Sequence, residues 1–144
     1  MQVSFPITNK EVLLECIPQR SPIVMVDALI SFEDHEVVSG FTVYAEGLFA
    51  KNETLTEPGL IEHMAQTVAL HTGFGFYIKN QQAPTGYIGS ISDLRVSRLP
   101  VQNETIITTA TILHEFSGVT LVDIVSKVQG TVIASGRMKT VIAQ

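Results

Sequence analysis

The sequence predicts an α+β domain in which one antiparallel sheet is wrapped around a single long central helix. Three observations carry that expectation. Residues 58–78 form the only long run with helical apolar spacing, and no charged residue occurs between Glu62 and Lys79. Six other runs read as strands, rich in Val, Ile and Thr and bounded by turn residues. The order is short helix, two strands, long helix, four strands, and the connections among the last three strands are short enough for an antiparallel meander. One helix covers only one face of such a sheet, whose open edges invite pairing with a second copy, so the domain is expected to be dimeric.

Each element has its own signal. Thr8 followed by Glu11 is a capping-box signature and predicts a short helix over 8–16. Pro18 and Pro22 end it and leave a loop between them. Ile23–Phe32 reads as a strand interrupted by Asp27, Glu33-Asp34-His35 as a turn, and Val37–Tyr44 as the second strand. Ala45–Glu57 is polar and irregular. Pro58 and Gly59 mark the entrance of the long helix, whose apolar positions are Leu60, Ile61, Met64, Ala65, Val68 and Ala69. Its other side offers Ala, Thr, Gly and His in place of the Lys and Glu of a solvated face, so it is enclosed on most sides. After Pro84 come Gly86–Leu94, Thr105–His114, Thr120–Val128 and Thr131–Ile142, with turns at Glu115–Gly118 and Gln129-Gly130.

At 144 residues the chain makes one domain, spanning 1–144, and buries roughly two-thirds of its unfolded surface. Apolar residues are 45%, charged residues 16%, and mean hydropathy is +0.29, which points to apolar surface hidden in an oligomer. The net charge of −5 argues against nucleic acid and against an anionic membrane surface. The single cysteine, Cys16, excludes an internal disulfide and fits a reducing compartment. No apolar run is long enough for a signal peptide or a membrane span, so the cytoplasm is expected. The histidines are scattered and Cys16 has no thiol companion, so neither a metal nor another cofactor is expected. Gly73-Phe74-Gly75 lacks the strand–loop–helix context of a phosphate loop.

The chemistry concentrates at Glu57-Pro58-Gly59-Leu60-Ile61-Glu62-His63-Met64-Ala65-Gln66. Glu62 and Gln66 are four apart and share a helix face, while His63 lies about 100° around from Glu62. His71 is about 13 Å further along the axis, too far to serve the same proton. His35 and His114 lie beside predicted turns and read as structural.

These residues resemble the hot-dog fold, and within it the 3-hydroxyacyl-[acyl-carrier-protein] dehydratases. Glu62-His63-Met64-Ala65-Gln66 is similar to that family's Glu-x-Met-Ala-Gln core, the most specific piece of the likeness. Ile17-Pro18-Gln19-Arg20-Ser21-Pro22 through Asp27 is similar to its Pro-His-Arg-x-Pro-(apolar)-Asp stretch, with Gln19 where His is usual. Ser92 to Val101 resembles the strand entering its Arg-x-Pro-Val segment, and Ala69-Leu70-His71-Thr72-Gly73 resembles divergent dehydratase-like proteins of aryl-polyene pigment pathways. One departure stands out. The family's catalytic His, in a His-Phe-Pro-Gly segment before the helix, has Leu48 at the matching position, within Gly47-Leu48-Phe49-Ala50.

The resemblance implies a lyase acting on an acyl thioester carried by phosphopantetheine, in fatty-acid or polyene-type biosynthesis. Glu62 would be the acid, and N–H groups near Pro58 and Gly59 would hold the thioester carbonyl; Gln66 would bind substrate and, in a thioesterase on this fold, aid the helix carboxylate. Met64 and Val68 would line the acyl tunnel. The α-proton base, lost with the family's His, would be His63 or a histidine from a partner subunit, in a homodimer or a heterodimer with a paralogue. An acidic acyl carrier protein would need a basic patch, for which Arg20, Lys51, Arg95 and Arg98 are candidates. Three classes stay open: a self-sufficient dehydratase-like enzyme, a non-catalytic partner subunit of a paired dehydratase, and an acyl-CoA or acyl-carrier-protein thioesterase.

Overall fold

The computed structural model describes residues 3–143. In chain order they form α1 (Lys10–Cys16), β1 (Ala28–Glu33), β2 (Glu36–Thr42), β3 (Ala50–Lys51), β4 (Thr54–Leu55), α2 (Glu57–Tyr77), β5 (Gly86–Val96), β6 (Thr105–Phe116), β7 (Val119–Val128) and β8 (Thr131–Ile142). The main sheet has six strands in the order β1-β2-β6-β7-β8-β5, with every pairing antiparallel. β3 and β4 make a separate two-stranded ribbon. The α+β architecture expected from the sequence is the one observed.

Local chemistry moved several boundaries. The α1 cap is Asn9, whose Oδ1 accepts from the N–H groups of Glu11 and Val12 at 2.9 and 3.2 Å. Thr8 stands one residue too early to reach them. The strand expected from Ile23 begins only at Ala28, because the backbone of Met25 is bonded to side chains of α2 and not to a neighbouring strand. Asp27 Oδ2 accepts the Thr42 N–H at 2.8 Å, and β2 stops there, short of Tyr44. The segment read as irregular holds the β3–β4 hairpin, with Asn52 and Glu53 in the left-handed region at its tip. The β6–β7 turn is tighter than expected: Ser117 and Gly118 both have positive φ, as do Gln129 and Gly130 between β7 and β8. Two successive left-handed residues give the hairpin twist that antiparallel strands favour.

α2 lies across β2, β6 and β7, with α1 against its other side. From Gly59 to Tyr77 none of its residues is exposed. Leu60, Met64, Leu70 and Phe74 pack into the core with Leu29, Val37, Ile106, Val122, Ile124 and Met138 of the sheet. α1 can approach so closely because position 73 has no side chain: a Cβ there would sit 1.7 Å from the Cys16 carbonyl oxygen.

The helix does not reach β5. Eight successive residues of that edge strand, Gly86–Asp93, are exposed, so neither face is covered. Tyr87 is 63% exposed. An uncovered apolar edge of this length is a template for another strand.

Two glycines of α2 should respond in opposite directions. Gly73→Ala forces a methyl into the α1 backbone and is expected to cost about 2 kcal/mol or more. Gly75→Ala meets only Phe32, at 3.8 Å, and should gain ~0.5–1 kcal/mol from helix propensity. Urea unfolding of the two variants beside the wild type checks both signs.

Candidate active site

α2, the segment Leu14–Arg20 and the β5–β8 end of the sheet enclose a groove of about 480 Å³. α2 contributes Glu62, Ala65, Val68, Ala69, Thr72 and Gly73 to it. Spacing of three and four keeps these residues on one face, and after Glu62 they are small or uncharged, so the groove is open above an apolar floor.

Gln66 fixes the carboxylate at the head of the groove. It is fully buried, and its Nε2 donates to Glu62 Oε2 at 2.8 Å and to the Ile23 carbonyl at 2.9 Å. Its Oε1 accepts the Met25 N–H at 2.7 Å. The amide orientation follows from its neighbours, since a carbonyl can only accept and a backbone N–H can only donate. One side chain thus ties the Ile23–Met25 segment to α2 and leaves Glu62 Oε1 as the carboxylate oxygen it does not engage.

His63 is turned away from the groove. Its side chain is fully buried against the sheet, with Nδ1 at 2.6 Å from the Met25 carbonyl and Nε2 at 2.7 Å from Thr108 Oγ1. The carbonyl requires N–H at Nδ1, so Nε2 accepts the Thr108 hydroxyl proton. Thr108 Oγ1 in turn accepts from Ser126 Oγ at 2.7 Å. Burial pushes the imidazole down to about 4, against a smaller upward pull from the Met25 carbonyl. A neutral ring with both nitrogens engaged has no lone pair for a substrate proton. The expectation that His63 serves as the base therefore changes to a structural role, and the reason is the step of about 100° from Glu62, which puts it on the core face.

The other expected residues are dispersed. Val68 lines the groove, but Met64 does not: it is wholly enclosed in the core. Pro58 and Gly59 lie one turn before Glu62, outside the groove lining. Gly59 is buried beneath Phe49, which a Cβ would meet at 2.5 Å. The N-cap Thr56 makes no side-chain cap, so the first-turn N–H groups lack the usual internal partner. Leu48 is 56% exposed. His71 is bonded to the Glu33 carbonyl at 2.8 Å and stacks on Phe32. Arg20 lines the groove with its guanidinium on the Ile17 and Gln19 carbonyls, whereas Arg98 is paired with Glu104 through two bonds of 2.8 and 2.9 Å. Lys51 and Arg95 are exposed, on β3 and β5.

Sequence reasoning missed Thr108 and Ser126, which lock His63. Their signal was parity: each occupies an inward position of its strand, between Ile106 and Ala110 in β6 and between Ile124 and Val128 in β7. Polar residues on an otherwise apolar face call for a buried partner.

Comparison with known proteins gives a family and a fold. The ApeP-like family, described as ApeP dehydratase, matches residues 12–144. The dehydratase heterocomplex ApeI:P from Xenorhabdus doucetiae is similar in structure, with a TM-score of 0.85 at 19% identity, covering 99% of this chain and 93% of the other. The PaaI protein of the E. coli phenylacetic acid degradation operon gives a TM-score of 0.63 at 18% identity, covering 78% and 80%. A hypothetical thioesterase from Streptococcus pneumoniae, solved with coenzyme A, gives 0.64 at 11% identity, covering 80% and 84%. No functionally curated protein matches. The structural likenesses establish the hot-dog fold; among the described residues no helix is long and apolar enough to cross a membrane.

The buried imidazole makes stability depend on pH with a definite sign. The unfolded His63 takes up a proton below its ordinary value of 6.5, and the folded one only near 4. Unfolding is therefore coupled to proton uptake between those values, and stability falls as pH drops through that window, by on the order of 3 kcal/mol in all. Urea unfolding from pH 7 to pH 4 should show this slope in the wild type and its loss in His63→Gln, the difference cancelling carboxylates that titrate alike in both.

Proposed function

The chain belongs to the ApeP-like dehydratase family, and from that premise we propose that it is one subunit of a two-chain 3-hydroxyacyl-thioester dehydratase, supplying the acid and the acyl groove while its partner supplies the base. The observation that carries this reading is a groove with an oriented carboxylate, Glu62, and no imidazole beside it. His63 is spent on Met25 and Thr108, His71 on Glu33, and Leu48 has no basic atom.

Dehydration needs a base for the C2 proton, an acid for the departing C3 hydroxyl and donors for the thioester oxygen. In this proposal Glu62, as the acid, gives a proton to the C3 hydroxyl. The C3–O bond breaks, water leaves, and the C2–H electron pair becomes the C2=C3 double bond as the partner's imidazole takes the C2 proton. The uncapped start of α2, near Pro58 and Gly59, would face the thioester oxygen with N–H groups and the positive end of the helix dipole. Gln66 is a positioning residue, holding Glu62 Oε2 and leaving the other oxygen for the substrate.

A two-chain assembly is supported by the heterocomplex nature of the similar Xenorhabdus dehydratase and by the uncovered β5 edge. The partner we infer is a hot-dog paralogue carrying the histidine that Leu48 replaces, and the substrate arm is phosphopantetheine on an acyl carrier protein.

The test incubates a 3-hydroxyacyl carrier-protein thioester with the chain alone, with the paralogue, and with both, and reads intact mass. Loss of one water only with both chains is expected. Glu62→Gln in the complex should slow it by ~10²–10⁴-fold. Water loss by the chain alone, full activity of the Glu62→Gln complex, or release of free acid would each overturn the proposal. Gln66→Leu strands the Met25 N–H and the Ile23 carbonyl, each at ~1–3 kcal/mol, and should lower both thermal stability and turnover of the same complex.

A further inference from the structure

The outer face of the main sheet carries no layer of the described chain, since α2 lies on the other side with α1 behind it. Its side chains follow from the strand register, because directly paired residues of adjacent strands share a face. Two complete rows cross all six strands, in the order β1-β2-β6-β7-β8-β5. One is Ser31, Val38, Thr109, Val125, Ser135 and Arg95; the next is Glu33, Glu36, Thr111, Asp123, Arg137 and Ser92. Adjacent residues on the same strands, Val37, Ala110, Ile124 and Ala134, are buried in the core, so both rows point outward.

A solvated sheet face is expected to be polar. This one is apolar or uncharged along Val38, Thr109, Val125 and Ser135. Toward the β6–β7 turn it continues through Val141 and Val119 to Phe116, which is 73% exposed. Its charges are sorted by side. Glu33 on β1 and Glu36 on β2 stand directly opposite each other, and neither forms an ion pair among the described residues. Like charges so placed repel. Arg95 on β5 and Lys139 on β8 likewise lack a carboxylate partner among the described residues, while Arg137 is bonded to Asp123 with Asp93 nearby. The β1–β2 side is thus acidic and the β8–β5 side basic.

Charge complementarity identifies the occupant. When a second copy stacks face to face about a two-fold axis parallel to the strands, β1 and β2 of one copy lie over β5 and β8 of the other. Glu33 and Glu36 then meet Arg95 and Lys139, twice over by symmetry, and Thr109 and Val125 of the central strands face each other near the axis. An anionic membrane or a uniformly acidic protein would match the basic side and be repelled by the acidic one.

We propose that the outer face is an interface between two copies of this chain, stacked back to back with the acidic side of each over the basic side of the other. The stacking leaves the β5 edge open, so pairing of that edge with a hot-dog subunit coexists with it. The interface does not rest on the dehydratase reading.

Sedimentation equilibrium of the full chain at low salt tests this. The wild type should associate. Two charge-reversed forms, Glu33→Lys with Glu36→Lys and Arg95→Glu with Lys139→Glu, should each raise the dissociation constant at least about tenfold. All four reversals in one chain restore the net charge and merely invert the polarity of the face, so association should return. Glu33→Gln with Glu36→Gln serves if a reversed form does not fold: it removes the repulsion within the hairpin, and should weaken association while leaving the fold intact. A wild type that stays monomeric, association unmoved by either reversal or by the Gln pair, or a folded fourfold variant that fails to associate overturns the proposal. A monomeric wild type that sediments with phosphatidylserine vesicles overturns it in favour of a membrane-binding face.

Discussion

A helix with no exposed residue from Gly59 to Tyr77 must find partners inside the protein for the polar side chains it buries, and the rest of this structure is arranged around that constraint on α2. Its carboxamide and imidazole, Gln66 and His63, both reach the Ile23–Met25 segment. That segment cannot join a strand, because its backbone is already committed to the helix. The carboxamide therefore does two things: it completes the hydrogen bonding of a buried loop, and it holds the carboxylate of Glu62 at the mouth of a groove. Leaving any of these groups unpaired costs about 1–3 kcal/mol, against the ~1 kcal/mol that each made bond contributes net. The network is kept intact chiefly by the penalty for breaking it.

The same economy of partners separates Glu62 from His63, adjacent in sequence and opposite in fate. Glu62 is half-buried on the groove side, oriented by one neighbour. His63 looks into the sheet and ends a hydrogen-bonded row that runs through Thr108 to Ser126. A second buried pair, Ser39 and Thr67 at 2.6 Å, ties β2 to α2 nearby, and the Thr67 hydroxyl donates to the His63 carbonyl. The core between helix and sheet is thus crossed by directed polar contacts as well as by aliphatic packing, which fixes the rotation of α2 about its axis. Rotation matters here, because it determines which helix face lines the groove.

The groove and the uncovered edge belong to one physical picture. α2 covers the middle of the sheet and leaves β5 beyond its reach, so the wall contributed by β5 is exposed on both faces. A second hot-dog subunit seated along that edge would cover apolar surface that includes Tyr87 and bring new side chains to the groove without disturbing the network that orients Glu62.

Much of the fold was legible in the sequence because it rests on periodicity and order: one charge-free helical run, β-branched strands and two glycine-bearing turns. Boundaries were legible only where the deciding interaction was local, as at Gln129-Gly130. They failed where a distant group intervened, as when Gln66 and His63 claimed Met25 and when Asp27 ended β2 at Thr42. By itself the sequence determined the chemical inventory: a carboxylate, a carboxamide and an imidazole within five residues. Only the tertiary structure decided their surroundings. The about 100° between consecutive helical residues carries no meaning until a sheet lies on one side of the helix and a groove on the other. Burial then made His63 a neutral structural group and left Glu62 at the groove, oriented by Gln66.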